Sequence, residues 1–152
     1  METLDPRVRF LWAAGALVTA AVLGAAGFAL VRFGVPVPGT GVLAVVVVVA
    51  VAGAVLAVLR YRVWRFEVRE DSLYLVRGVL TRTDTSVPFV RVQHVDTRRG
   101  PVERAVGLAS VVVYTAGTRG ADIAIPGLTP ERAGELRERL RDLATESELD
   151  AV

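Results

Sequence analysis

The hydrophobic pattern of the chain is dominated by two long segments, residues 10–31 and 42–59, whose side chains are apolar or small throughout. As helices that rise about 1.5 Å per residue, these segments span roughly 33 and 27 Å, close to the ~30 Å hydrocarbon core of a bilayer. The connection between them, residues 32–41, is rich in glycine and proline, as turns are. The pattern therefore predicts a transmembrane helical hairpin with spans at about 10–31 and 42–59.

Each of the two apolar segments has one alternative to a spanning helix. Segment 10–31 also fits a cleaved signal peptide, with Arg7 and Arg9 as its basic start, but it is longer than the apolar core of a signal and a second span follows. The valine-rich piece 45–49 also fits a buried strand, but it sits inside an apolar run longer than strands usually are. The hairpin interpretation is preferred for both segments.

Charge distribution predicts how the hairpin is oriented. Arg32 is the only charged residue between positions 10 and 59, whereas five arginines flank the other ends of the two spans: Arg7, Arg9, Arg60, Arg62 and Arg65. By the positive-inside rule we expect both termini in the cytoplasm of a two-span cell-membrane protein. The same five arginines are candidates for binding anionic lipid headgroups, although they would also be present if they only set topology.

Small residues recur every four positions within the hairpin, as Ala16, Ala20 and Gly24 in the first span, and as Ala50 with Ala54 and Gly53 with Ala57 in the second. Small side chains let helix backbones approach closely. We expect them to pack one helix against the other, and homo-oligomer contacts are the second interpretation.

After the hairpin, hydrophobic alternation predicts about six strands, at residues 62–69, 73–79, 82–87, 89–95, 108–114 and 121–126, with turns at 70–71 and 116–120 and a short helical turn at 101–106. Thr129 and Pro130 then begin a helix whose apolar stripe consists of Ala133, Leu136, Leu140 and Leu143. The predicted organisation is a tail and hairpin at 1–59, a small mainly-β domain at 60–143 and a flexible acidic tail at 144–152.

Candidate chemistry is sparse. The chain has no cysteine, and His94 is its only histidine, with Asp96 two residues on along the same strand face. No nucleophile elbow, zinc-binding helix motif or phosphate-binding loop is present. We expect no catalytic, cofactor or metal residue, no enzyme activity and no nucleic-acid binding, and a structural or surface role for His94.

Several short motifs carry a resemblance to a known family. They are Pro88-Phe89-Val90-Arg91-Val92-Gln93-His94-Val95, Gly100-Pro101-Val102-Glu103-Arg104-Ala105-Val106-Gly107-Leu108, Thr115-Ala116-Gly117 and Ile125-Pro126-Gly127-Leu128. In this order after two spans, they resemble the YdbS-like family of prokaryotic membrane proteins with a pleckstrin-homology-like (PH-like) domain. The resemblance covers nearly the whole chain.

The resemblance implies a curled antiparallel sheet of seven strands closed by a C-terminal helix, one strand more than the six counted, and we place the missing strand near 82–95. It brings no established reaction. It implies a larger related membrane protein with several PH-like domains as a possible partner.

The resulting hypothesis is a non-enzymatic interaction domain held at the cytoplasmic face by the hairpin, which binds a protein partner with lipid headgroups as auxiliary contacts. The candidate partner surface consists of Gln93, His94, Arg98, Arg99 and Arg104, together with the acidic C-terminal helix. The alternative is an accessory subunit of a membrane transport or export system, in which the hairpin makes the functional contacts. An enzyme that uses His94 ranks third.

Overall fold

A computed structural model describes residues 1–117 and 122–150 of the chain. The helices are α1 (Val8–Arg32), α2 (Gly39–Val63), α3 (Pro101–Val106) and α4 (Pro130–Asp150). The strands are β1 (Glu2–Thr3), β2 (Arg65–Val68), β3 (Ser72–Arg77), β4 (Thr83–Pro88), β5 (Val92–Arg98), β6 (Ala109–Thr115) and β7 (Ile123–Leu128), and a 3-10 turn at Phe89–Arg91 joins β4 to β5. Two long apolar helices thus accompany antiparallel sheets and a C-terminal helix, which confirms the predicted fold class.

Helices α1 and α2 are each 25 residues long, so each extends over roughly 38 Å. Both are long and apolar enough to cross a membrane. They run past the predicted spans at both ends, because a helix satisfies its own backbone hydrogen bonds equally well in the small or polar residues that flank an apolar core. Gly34, with a φ of +80°, ends the first helix and allows the chain to reverse.

Small residues bring the two helices into close contact, as the spacing predicts. A Cβ atom on Gly53 would lie 2.2 Å from Cβ of Ala16, and one on Gly27 would lie 2.3 Å from a methyl carbon of Val42. Ala20 and Ala57 are buried in the same interface. Ala54, by contrast, lies on an exposed side of α2.

The N-terminal residues form part of the β domain, which corrects the predicted boundary at residue 60. Strand β1 pairs antiparallel with β2, with Glu2 opposite Phe66 and Thr3 opposite Arg65. Leu4 and Val8 are 1% and 2% exposed and belong to the core of the domain. The hairpin is therefore an insertion between the first two strands of one sheet, rather than an anchor that precedes the domain.

Strand β1 is also the seventh strand that the resemblance implies. The expected position of that strand, near residues 82–95, is wrong, because this region contains only the two strands counted there, β4 and β5, with a 3-10 turn between them. A strand of two residues is too short to show alternation, and only its pairing with a strand more than sixty residues away defines it.

The first strand after the hairpin begins later than predicted, at Arg65 rather than Arg62, because α2 continues to Val63. Its predicted inward face is confirmed at Trp64 and Phe66, which are 3% and 1% exposed. The alternation therefore marks the buried side chains correctly, but residues 62 and 63 belong to the last turn of α2 rather than to the strand.

Two antiparallel sheets enclose the core, one in the order β1-β2-β3-β4 and the other in the order β5-β6-β7. A backbone hydrogen bond of 2.6 Å from the Asp5 N–H to the Gly127 carbonyl links the segment after β1 to β7. The largest buried side chains of the sheets and the turns beside them are Phe66, Leu73, Leu75, Phe89, Leu108, Ile125 and Leu128. The core is therefore continuous between the sheets.

Helix α4 covers this core with the predicted stripe, since Ala133, Leu136 and Leu140 are buried and Leu143 packs against them. Thr129 caps the helix, because its hydroxyl accepts the Arg132 N–H at 3.3 Å.

The helix continues to Asp150, so residues 144–150 are helical rather than a separate tail, whereas residues 151–152 lie outside the described residues. No glycine or proline interrupts the alanine-, glutamate- and leucine-containing sequence there, which explains the continuation. Most of the predicted turn 116–120 and the first residue of the predicted strand 121–126 also lie outside the described residues.

Candidate functional site

Four of the five arginines at the base of the hairpin divide into two groups. The first group stacks on aromatic rings: the Arg60 guanidinium lies 4.1 Å from the centre of the Trp12 ring, and the Arg9 guanidinium lies 4.8 Å from that of Phe10. Cation–π contacts of this kind hold the charged groups beside the aromatic residues that mark the end of an apolar span. Arg62 is exposed at the same end.

The second group holds the fold together. Arg7 pairs with Asp5 at 3.0 Å and donates to the Val106 carbonyl at 3.0 Å, which ties the start of α1 to α3. Hydrogen bonds from Arg7 lower the pKa of the Asp5 carboxyl below its usual value. Arg65 donates to the Trp64 carbonyl at 2.9 Å and so satisfies a backbone acceptor where α2 ends. Both arginines are thus committed to contacts within the protein.

A groove of about 570 Å³ lies between β5 and the C-terminal half of α4. Gln93 and His94 from the predicted partner surface line it, and Arg137, Arg141 and Glu148 line it from the helix. The pairing of β5 with β6 shifts register between Val92 and His94, so Gln93 sits at an irregularity of the strand. Continuation of α4 past residue 143 builds the far wall of this groove from Ala144, Thr145 and Glu148.

His94 is held by neighbours on its own sheet. Its Nε2 atom lies 2.8 Å from Oδ1 of Asp96, as the shared strand face predicts, and its ring centre lies 5.7 Å from that of Tyr114 on β6. Both side chains of this contact are exposed, by 65% and 47%. An exposed imidazole oriented by a carboxylate and an aromatic ring presents a polar surface of fixed shape.

The other predicted partner residues lie elsewhere. Arg98 extends over Tyr114, donates to its hydroxyl and so lies on the same sheet face as His94. Arg99 and Arg104 are exposed around α3, whose last turn contacts Arg7 at the base of the hairpin. The five candidates therefore form no single surface: Gln93 and His94 line the groove, Arg98 lies on the sheet face of His94 but outside the groove lining, and Arg99 and Arg104 lie around α3.

Sequence reasoning missed Tyr114, Arg137 and Arg141 as site residues. The pairing of Tyr114 with His94 depends on the register of β5 against β6, which a one-residue irregularity sets. The two arginines follow each other at i and i+4 on α4, so they share one face of that helix. That spacing was the signal available in the sequence. Because we expected the helix to end near residue 143, we did not expect the residues beyond it to form a groove wall beside the two arginines.

Comparison with known proteins agrees with this architecture. The family model described as "Bacterial PH domain" matches residues 11–144. A relative from Bacillus subtilis (strain 168), the "UPF0699 transmembrane protein YdbS", is 42% identical over 86 residues, which cover 57% of this chain and 52% of the relative. The matched region thus spans about half the length of that curated relative. No solved structure matches.

Proposed function

Because the chain belongs to the bacterial PH domain family, we propose that it is a non-enzymatic interaction module, anchored in the membrane by its hairpin with the PH-like domain at the cytoplasmic face. The module binds a protein partner, and anionic lipid headgroups make auxiliary contacts. A larger membrane protein that carries related domains is the partner class we favour, and a second copy of this chain is the alternative.

The groove between β5 and α4 is the observation that carries this proposal. It is formed by polar side chains of both signs, with Arg137 and Arg141 on one side and Asp96 and Glu148 close by. A mixture of charges suits the varied surface of a protein better than a small anion, which would be repelled by the carboxylates. Strand β5 lies at the edge of its sheet, so its outer edge also offers backbone groups to a partner.

The orientation of the protein in the membrane is inferred from the arginines that flank the hairpin. The ends of α1 and α2 next to the domain carry Arg9, Arg60 and Arg62, and the opposite ends carry Arg32. The positive-inside rule then supports a cytoplasmic domain. A reporter enzyme fused after the last residue should be active only on the cytoplasmic side, and activity on the external side would reverse the orientation.

Site-specific photo-crosslinking tests the partner surface. A photoreactive amino acid at Gln93 should yield one defined protein adduct in membranes of the host, and Arg141→Glu should reduce that adduct several-fold. Arg139→Glu is the matched control, because it makes the same charge change on the same helix outside the groove. An adduct with lipid, or equal yields from both variants, would contradict a protein partner at this groove.

A second function, as an accessory subunit of a transport or export system, is favoured by one feature of the hairpin. Gly24, Gly27, Val42 and Val46 line an apolar groove of about 330 Å³ between the two helices, toward their connection. A helix of another membrane protein would fit against such small residues. Gly24→Leu fills this groove, and loss of a transport phenotype with an intact Gln93 adduct would favour this function.

A further inference from the structure

The turn between β3 and β4 exposes the most accessible large apolar side chain of the described residues. Leu80, in this turn, is 93% exposed. Gly78 shapes the turn with a φ of +95°, and a Cβ atom at this position would lie 2.0 Å from the Thr81 carbonyl oxygen. The backbone therefore holds Leu80 outward in a tight turn that only glycine permits at its start.

This turn lies beside the end of the second span. A groove of about 700 Å³ is lined by Arg60 near the end of α2 and Trp64 just after it, and by Arg77 at the end of β3 with Gly78 and Val79 of the turn. Arg60 also stacks on Trp12 of α1, so it sits at the level where aromatic residues mark the boundary of the apolar spans. The turn thus reaches toward the same level as the base of the hairpin.

The charges of the groove favour an anion. Arg60 and Arg77 present two guanidinium groups to it, and Asp122 contributes one carboxylate at the far wall. Guanidinium groups bind phosphate oxygens through paired hydrogen bonds. Water also binds a guanidinium group more weakly than it binds an ammonium group, so less hydration is lost when a phosphate binds. An exposed leucine beside two arginines at an aqueous–apolar boundary has the composition of surfaces that insert into a lipid interface.

We propose that the β3–β4 turn is a third membrane contact, in which Leu80 enters the bilayer interface while Arg60 and Arg77 bind the phosphate of an anionic phospholipid. The inference rests on the part of the proposed function that places the hairpin in a bilayer, and it is independent of the protein partner. The turn and the two ends of the hairpin together form a three-point contact that fixes the tilt of the domain on the membrane.

Single-cysteine labelling tests this proposal, because the chain contains no cysteine of its own. The full chain carries a bimane fluorophore at Leu80→Cys, at Leu149→Cys or at Phe28→Cys, and is reconstituted in phosphatidylcholine vesicles with or without phosphatidylglycerol. Leu149 is a matched exposed leucine at the end of α4, at 73% exposure, and Phe28 is 71% exposed within α1. Lipids with a spin label near the headgroup quench a fluorophore that enters the interface.

We expect several-fold stronger lipid quenching at position 80 than at position 149. Phosphatidylglycerol should increase it further, and Arg77→Glu should abolish that increase. Equal quenching at positions 80 and 149 overturns the insertion of Leu80. Lipid quenching at position 80 that changes neither with phosphatidylglycerol nor with Arg77→Glu overturns the headgroup site. Protection of the fluorophore from aqueous iodide without lipid quenching also overturns the insertion, and it assigns the turn to a protein contact instead.

Position 28 separates this inference from the proposed function. Strong lipid quenching at Phe28→Cys shows that the hairpin is in the bilayer, so a negative result at position 80 then refutes only the third contact. Absence of lipid quenching at position 28 as well would refute the membrane anchoring on which both proposals rest.

Discussion

Truncation of Leu4 tests whether the residues before the hairpin belong to the domain. Leu4 is 1% exposed and packs into the same core as Phe66 and Ile125. Burial of a leucine side chain contributes about 1.5–3 kcal/mol, and Leu→Ala at buried sites costs about 2–5 kcal/mol once the cavity is included. Because β1 is a short edge strand that is able to relax inward, we expect Leu4→Ala to cost about 2–3 kcal/mol.

Urea unfolding in mild detergent measures this cost. Trp64 is 3% exposed in the core, so its fluorescence reports unfolding of the domain once the second tryptophan is removed by Trp12→Phe. With a dependence of about 1–3 kcal/mol per molar urea, the midpoint should fall by roughly 1–2 M. Leu149→Ala is the matched control, because the same side chain is truncated at a 73% exposed position. Equal midpoints for the two variants would show that the N-terminal residues are a tail outside the domain.

Two further substitutions test the hairpin and the electrostatics of its base. Gly53→Leu should separate the helices, because even a Cβ atom would lie 2.2 Å from Cβ of Ala16, and the protein should lose solubility in detergent at a lower temperature; Gly15→Leu, where nothing lies within 4 Å, should not. Asp5→Asn should lower the free energy of unfolding at neutral pH. Since Arg7 lowers the pKa of Asp5 in the folded state, this carboxylate contributes stability above its unfolded pKa of about 3.9 and loses it as the pH falls through the folded value. The difference between wild type and Asp5→Asn should therefore shrink below about pH 4, and a difference independent of pH would contradict the ion pair.

Elements with a long regular pattern were predictable from the sequence. The alternation at Trp64 and Phe66 and the helical stripe at Ala133, Leu136 and Leu140 report burial directly, because apolar residues at the period of a strand or helix mark its inward face. The apolar spans were predictable from their length and composition instead, and most of their side chains are exposed on the protein surface. The cap at Thr129 was predictable for a different reason, because capping chemistry is local.

Features that depend on distant pairing were not predictable. Strand β1 contains two residues, so it carries no period, and its existence depends on Phe66 and Arg65 opposite it. The groove beside His94 likewise depends on two distant elements, β5 and the end of α4. Local sequence identified His94 and Asp96 as neighbours, but only the fold brings Arg137 and Arg141 toward them.

Insertion of the hairpin between β1 and β2 couples the spans to the sheet more tightly than a single linker would. The chain enters α1 at Val8, five residues after β1 ends, and returns from α2 into β2 after Trp64 alone. Paired strands are held about 4.8 Å apart by hydrogen bonds, while packed helices lie about 8–10 Å apart, so a change at either pair strains the other. A change in how α1 and α2 pack would therefore be transmitted directly to the first sheet through β1 and β2.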